Sequence, residues 1–392
     1  MATRGVTRGQ SGGPVRTGGD GPAASLRPMR LERLGIVGTG LIGASVGLAA
    51  KRAGVDRVVG YDFAENTAET AHRRKAIDGI ADDLADLAPA DLVVVAVPVI
   101  ALPGVIGAVL AHDDWTVTDV GSTKAAVAAN APDPKRFVGG HPVTGSEARG
   151  PEHATAELFD GATWFLTPSV QTEPERYRLV HGFVASLGAT PVAIDPEAHD
   201  RLVALTSHMP HALANALVNQ AGSERIDGHE PLQAAGGSLR DMTRVAGANP
   251  RIWVDIFLDN ADVLADALAD HRGRLEQVER ALRNRDAGFL AKWIGEAALN
   301  RRKMLADAYP DPGSLQQLRV HVPDRPGVLA GITQALGAER INIEDFELHH
   351  MSPDRGGTLT VLITGEQEAG RAAELLEAQG YGVVVTPVLG EQ

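Results

Sequence analysis

Between residues 34 and 140 the chain alternates short apolar, β-branched runs with amphipathic stretches. Residues 34–37 (Leu-Gly-Ile-Val) form the first such run, and 55–61, 91–97 and 116–120 form others. Short, nearly continuous apolar runs mark strands buried on both faces. Helical sequence follows them, as at 41–53 and 64–75. Strands alternating with helices predict an α/β fold with a parallel sheet covered on both faces. The stretches 137–140, 163–167 and 190–194 are expected to complete that sheet. Residues 92–111 carry no charged or polar side chain, roughly the length that spans a bilayer. Pro98 and Pro103 interrupt the run, and a buried strand followed by a helix explains it better.

Beyond Pro196 the period changes. Apolar residues recur at helical spacing over 202–217 and again at Ile252, Leu264, Leu268, Leu275, Val278 and Leu282. Almost no strand-like sequence lies between 200 and 309, so an all-helical domain is expected there. Such stripes usually bury against a partner, which points to a homodimer. A Pro/Gly-rich linker follows, and then the order βαββαβ: strands at 318–322, 342–349, 358–363 and 382–388, helices at 326–336 and 366–378. The expected divisions are a disordered tail at 1–30, a Rossmann-type domain at 31–198, a helical substrate and dimerisation domain at 199–309, a linker at 310–316 and a small α+β domain at 317–392.

Composition narrows the function. The net charge is -13, with 37 basic and 50 acidic residues, and no basic face marks a nucleic-acid partner. The chain has 0 cysteines, which excludes disulfides, thiolate catalysis and cysteine-ligated zinc and fits a reducing compartment. The first thirty residues are rich in Gly, Arg, Ser and Pro and contain no apolar h-region of a secretory signal. A cytoplasmic protein without a membrane span is therefore expected.

Gly38-Thr39-Gly40-Leu41-Ile42-Gly43 fits G-x-G-x-x-G, follows a strand and opens a helix. Gly38 permits the tight turn, Gly40 lets backbone approach a pyrophosphate, and Gly43 allows close helix–strand packing. Asp62 lies nineteen residues past Gly43, at the end of the second strand, where it would accept hydrogen bonds from ribose hydroxyls. A 2′-phosphate would be repelled there and no Arg follows, so NAD is favoured over NADP. The alternative is a surface carboxylate at a strand end. Leu41, Ile42, Val97, Pro98 and Ser122 complete the cofactor set.

Ser122 and His141 follow the strands expected at 116–120 and 137–140, at the ends where ligands of open α/β sheets bind. An imidazole there can take a hydroxyl proton as hydride leaves the same carbon. The plain alternatives are an N-cap for Ser122, opening a helix, and a backbone-bonded loop histidine for His141. Lys124 suits either a phosphate contact or a solvated helix position. His208 and His211 lie three apart; one of them contacts substrate, or both are satisfied polar groups at a helix start. A metal site is not expected, because a third ligand at suitable spacing is missing. Arg240 and Arg244, four apart, suit a carboxylate; the alternative is an ion pair with Asp241 or Asp255. Gly237, which starts this stretch, joins the substrate set. His349 and His350 point to opposite faces of a strand and make poor co-ligands.

Together these residues resemble the prephenate dehydrogenase family. The likeness rests on Gly38-x-Gly40-x-x-Gly43, Asp119-x-Gly121-Ser122, His141-Pro142-x-x-Gly145-Ser146-Glu147, His208-x-Pro210-His211 and Asp241-x-Thr243-Arg244 followed by 253–260. The resemblance implies that His141 is the base on the ring hydroxyl of prephenate or arogenate and that Ser122 bridges that site and the nicotinamide. It implies that His211 and Arg244 hold substrate. Arg240 stands where many members have Lys, keeping the charge. The last domain resembles an ACT module, with Asp324 to Ala330 at its first strand–helix turn. Gly327 and Asn342, where the second strand is expected to begin, would then receive an amino-acid effector, with L-tyrosine the natural one. A homoserine-type dehydrogenase would carry a sheet in its substrate domain. A phosphoglycerate-type dehydrogenase would place the Gly-rich turn well inside the chain. A non-enzymatic NAD-linked amino-acid sensor would not need the base.

Overall fold

The structure is a computed structural model that describes residues 31–144, 148–308, 312–352 and 356–388. Two compact units emerge, one running up to Pro210 and taking in Gly247–Leu264, the other comprising His211–Ala246 and everything from Ala265 onward.

The first unit begins β1 (Arg33–Val37), α1 (Leu41–Arg52), β2 (Arg57–Tyr61), α2 (Glu65–Arg73) and a short β3 (Gly79–Ile80). It continues β4 (Leu92–Val95), α3 (Leu102–Leu110), β5 (Thr116–Asp119), α4 (Ala125–Asn130) and β6 (Phe137–Pro142). Then come β7 (Thr163–Thr167), α5 (Pro174–Ser186), β8 (Thr190–Ala193) and α6 (Pro196–Val203). The eight strands lie in the order β3-β2-β1-β4-β5-β6-β7-β8. All strands from β3 to β6 are parallel, as the unbroken apolar runs require, and β4 is buried at every position. The expectation of a fully parallel sheet needs correction at one place. β7 pairs antiparallel with β6, and β8 follows β7, so the last two strands run the other way.

The apolar run at 92–111 folds as β4, a 3₁₀ turn at Val99–Ala101 and α3. Pro98 caps that turn, and Pro103 falls in the first turn of α3 where its missing N–H costs nothing. Among the described residues no helix is long and apolar enough to cross a membrane. Two apolar layers cover the sheet, one around Ile36, Val46, Phe159 and Trp164, the other around Val93, Leu102, Ile106 and Trp115.

After α6 the backbone widens into one π-helical stretch, Ala204–His208, and then tightens into α7 (Met209–Ser223). His208 and His211 therefore do not share a regular α-helix. The helical sequence continues as α8 (Gly237–Thr243), α9 (Pro250–Asp259), α10 (Ala261–Arg283) and α11 (Ala287–Ala308).

The C-terminal residues form β9 (Leu315–Val322), α12 (Val328–Ala338), β10 (Asp345–Ser352), β11 (Gly356–Thr364), α13 (Glu366–Ala378) and β12 (Gly382–Pro387). The sheet order is β10-β11-β9-β12, all antiparallel. β9 alternates buried Leu318, Val320 and Val322 with exposed Arg319 and His321, so its helices cover one face only. β10 starts at Asp345, which leaves Asn342 in the preceding turn and not at the strand start expected from the sequence. Of the linker expected at 310–316, Pro312–Ser314 form a 3₁₀ turn, while Leu315 and Gln316 already belong to β9. His349 and His350 fall in β10 as expected. The tail at 1–30, and the Gly145, Ser146 and Glu147 motif positions, lie outside the described residues.

Gly43 shows how closely α1 meets the sheet. A Cβ there would sit 1.9 Å from the carbonyl oxygen of Gly38, whereas Gly104 on α3 has nothing within 4 Å. Gly43→Ala should therefore lower the urea midpoint, with overpacking of this kind costing about 1–3 kcal/mol. Gly104→Ala should raise stability slightly, by roughly 0.5–1 kcal/mol. Equal midpoints for the two variants would contradict this account of the turn.

Candidate active site

The turn after β1 is built as its glycines require. Gly38 adopts φ +91, and a Cβ on it would lie 2.4 Å from the carbonyl oxygen of Ala96. Gly40 is the N-cap of α1 with open space beside it, and no side chain caps the first-turn amides of Leu41 and Ile42. Asp62 is fixed against this turn: Thr39 donates to it from backbone N at 2.7 Å and from Oγ1 at 3.2 Å, and the Ala64 amide donates at 2.9 Å. A cavity of about 560 Å³ opens here, lined by Gly38, Gly40, Asp62, Val97 and Pro98 among others. The turn, the uncapped helix N-terminus and the carboxylate just past β2 fit NAD. Leu41, Ile42 and Ser122 are not part of the cavity wall, and Gly43 acts through packing.

Ser122 and His141 stand at the carboxyl ends of neighbouring parallel strands, β5 and β6. Buried Asp119 joins those ends, accepting from the amides of Gly121 at 2.8 Å and Gly140 at 3.0 Å. It also pairs with Lys124, whose ammonium group is fully buried. Lys124 is thus neither a solvated helix residue nor an available phosphate contact, a correction with a simple cause: the tight turn folds its chain back onto Asp119. The N-cap alternative for Ser122 also fails. α4 starts three residues later at Ala125, and its free amides are met from elsewhere in the fold, by Asp200. Ser122 is half-buried, and its hydroxyl has no hydrogen bond among the described residues.

Two residues that the sequence did not single out, His199 and Asp200, orient His141. His141 Nδ1 lies 2.8 Å from His199 Nε2, and His199 Nδ1 lies 2.8 Å from Asp200 Oδ1. Asp200 also accepts from the amides of Lys124 and Ala125, each at 2.8 Å. The carboxylate can only accept, so His199 donates from Nδ1 and accepts at Nε2. His141 must then donate from Nδ1, which leaves the lone pair on its Nε2. The hydrogen-bond chain leaves His141 with a defined acceptor nitrogen, and the residue sits inside β6, not in a loop.

Burial holds His141 well below the ordinary imidazole value, and neighbouring His199, Lys124 and His208 push in the same direction. A neutral ring at working pH is what a base needs. His208, itself buried, lies 3.1 Å from the Asn260 side-chain amide through Nδ1, and that amide donates to the Asp200 carbonyl at 2.9 Å. Asp259, beside Asn260, bonds the Thr123 hydroxyl. α9 is thereby tied to the turn that carries Ser122. Among the described residues no group of three or more His, Cys, Asp or Glu is placed to hold a metal ion.

His211, Gly237, Arg240 and Arg244 belong to the second unit. His211 is half-buried in the first part of α7, and Gly237 opens α8. Arg240 and Arg244 are exposed, one helical turn apart, and neither forms an ion pair among the described residues. A second cavity, of about 400 Å³, lies at the turn after β9 and is lined by Asp324, Arg325, Gly327 and Leu348 among others. Gly327 caps α12 with φ +89. Asn342 is not in that wall; its side chain donates to Glu344 at 3.0 Å.

Comparison with known proteins agrees with this geometry. Residues 46–193 match the family model "Prephenate dehydrogenase, nucleotide-binding domain", and 195–296 match "Prephenate dehydrogenase, dimerization domain". Residues 316–380 match "ACT domain". The chain is 31% identical over 356 residues to prephenate dehydrogenase of Bacillus subtilis, covering 88% of this chain and 95% of that protein. The chain belongs to the prephenate dehydrogenase family. It is also 33% identical over 285 residues to cyclohexadienyl dehydrogenase of Zymomonas mobilis, covering 70% of this chain and 97% of that protein. A solved structure of prephenate dehydrogenase from Aquifex aeolicus, in complex with hydroxyphenyl propionate and NAD+, superposes with a TM-score of 0.66. The two are 28% identical, over 70% of this chain and 98% of that one. Membership makes this chain an NAD-dependent oxidoreductase.

The His141 geometry has two measurable consequences. His199→Ala should lower kcat by roughly ten- to a hundredfold, a share of what general-base catalysis supplies, with NAD+ affinity unchanged. The acid limb of kcat/KM should fall below pH 6.5, because lowered basicity keeps His141 neutral there. Stability follows the same sign: it declines as pH falls through the unfolded imidazole value, where only the unfolded chain takes up the proton. An acid limb above pH 7 in the wild-type enzyme would refute the assignment.

Proposed function

We propose that this protein catalyses the NAD-dependent oxidative decarboxylation of prephenate to 4-hydroxyphenylpyruvate. The observation that carries the reading is the chain His141–His199–Asp200, which presents a neutral, oriented base at the end of the strand beside the Ser122 turn. NAD, when bound, supplies the hydride acceptor. His141 takes the proton of the ring hydroxyl at Nε2 as the carbon beneath it is oxidised. Ser122 holds the same oxygen through its hydroxyl. Oxidation turns the ring carboxylate into a leaving group, CO2 departs, and the ring becomes aromatic, which drives the reaction forward. Arg244 binds a substrate carboxylate, supported by its exposure without an ion-pair partner among the described residues; Arg240, His211 and Gly237 contribute to the same recognition.

A second substrate reading has one finding in its favour, the likeness to a cyclohexadienyl dehydrogenase. Arogenate differs from prephenate by an amine in place of the side-chain ketone, away from the oxidised carbon. Parallel assays of purified protein with each substrate and NAD+ decide between them. In the same assay His141→Asn should lower turnover by roughly a hundredfold or more while NAD+ affinity is kept. Near-normal turnover in that variant would remove His141 from the mechanism.

The enzyme acts as a cytoplasmic homodimer. Support for pairing comes from the dimerisation-domain match and from apolar residues left open on α10 and α11: Leu275, Leu282, Trp293, Ile294 and Leu299 are all 44% exposed or more. L-tyrosine is the effector we assign to the second cavity, its carboxylate at the backbone of the Gly327 turn. Deleting 315–392 should abolish tyrosine inhibition and leave turnover intact, since coupling between sites is typically about 1–3 kcal/mol. Undiminished inhibition of an active truncated enzyme would place tyrosine at the active site instead.

A further inference from the structure

Among the described residues, only two charged side chains line the cavity at the Gly38–Gly40 turn, Asp62 and Glu152, and both are acids. We infer that Glu152 is a second determinant of cofactor choice and joins Asp62 in rejecting a 2′-phosphorylated dinucleotide. The inference rests on reading this cavity as the NAD site.

The segment that carries Glu152 is set by its neighbours. Gly150 adopts φ +80, and a Cβ there would lie 2.4 Å from both carboxylate oxygens of Glu152. The Glu152 carboxylate rests over the open side of Gly150, whose backbone conformation suits glycine. The segment itself is pinned across the two helices that flank Asp62. The Thr155 amide donates to Ser45 on α1 at 3.2 Å, and Arg74, just past α2, donates to the Ala154 carbonyl at 3.0 Å. Pro151 and Ala154 are buried beneath it.

Glu152 has no hydrogen bond or ion pair among the described residues, so its charge is uncompensated. Asp62 takes hydrogen bonds only from the neutral groups of Thr39 and Ala64. A dinucleotide's pyrophosphate has the N-terminus of α1 to meet it. An additional phosphate would meet two carboxylates and, among the described residues, no cation in the cavity wall. Because Glu152 is exposed, its repulsion is screened by salt and is weaker than that of a buried charge.

Calorimetric titration of the full-length protein with NAD+ and with NADP+ tests this, using wild type, Glu152→Gln, Asp62→Ala and the double variant. Glutamine keeps the shape and removes the charge. Glu152→Gln should tighten NADP+ by roughly three- to tenfold at low ionic strength, fading as salt shortens the screening length, with NAD+ changed less than twofold. The double variant should bind NADP+ more tightly than either single one, and Glu152→Lys should exceed Glu152→Gln. Unchanged NADP+ affinity on removing Glu152, in both the wild-type and Asp62→Ala backgrounds, overturns the role of Glu152 alone. If Asp62→Ala also leaves both dinucleotides unaffected, the cavity is not the cofactor site and the assignment beneath the inference has failed with it.

Discussion

The buried carboxylate of Asp200 holds the active site together. Burying a carboxylate is costly unless every lone pair facing the interior finds a donor. Here His199 and the amides of Lys124 and Ala125 supply three donors, and the charge becomes a junction instead of a liability. One arm of the junction fixes the tautomer of His199 and so the basic nitrogen of His141. The other two fix the start of α4 and so the turn bearing Ser122. His141 and Ser122 are positioned by the same carboxylate, and a shift of one cannot leave the other unaffected.

A second buried charge backs the first. The Asp119–Lys124 pair lies under the strand ends, where Asp119 gathers the amides of Gly121 and Gly140. Lone removal of either partner from such a pair typically costs on the order of 3–5 kcal/mol. The two glycines at 139 and 140 make room for it. A Cβ on Gly139 would meet the Thr167 hydroxyl at 2.3 Å, and one on Gly140 would meet the Asp119 carbonyl at 2.5 Å. The strand that presents the base is thus thinned so that polar groups can pass beneath it.

Much of this was legible in the chain and some was not, for identifiable reasons. Buried strands, the Gly38 turn and the polar residues at the strand ends announce themselves through composition over short windows, because their requirements are local. Asp62 was readable because its distance from Gly43 is set by one helix and one strand. His199 and Asp200 were invisible: two polar residues near the start of a helix look like solvated positions, and their partners lie 58 and 75 or more residues away. Lys124 failed for the same reason in reverse, since only the fold shows that a lysine after a turn goes inward. The reversal of β7 left no trace either, because a strand's direction is set by the length and path of its connection. The π-helical widening at Ala204–His208 is likewise silent in periodicity, one residue of slack being too little to break the stripe.

That reversal has a consequence for chain routing. A parallel successor to β6 would have forced residues 143–162 to travel the length of the sheet and return to its far edge, normally as a helix. Because β7 runs back beside β6, the connection leaves and re-enters at the same rim, the one where the dinucleotide cavity opens. The described residues of that connection are freed from crossing duty and can be spent as a parapet, in which Gly150, Pro151 and Glu152 stand. Strand polarity at the edge of the sheet, far from any reacting atom, thereby decides that the enzyme has a wall on that side at all.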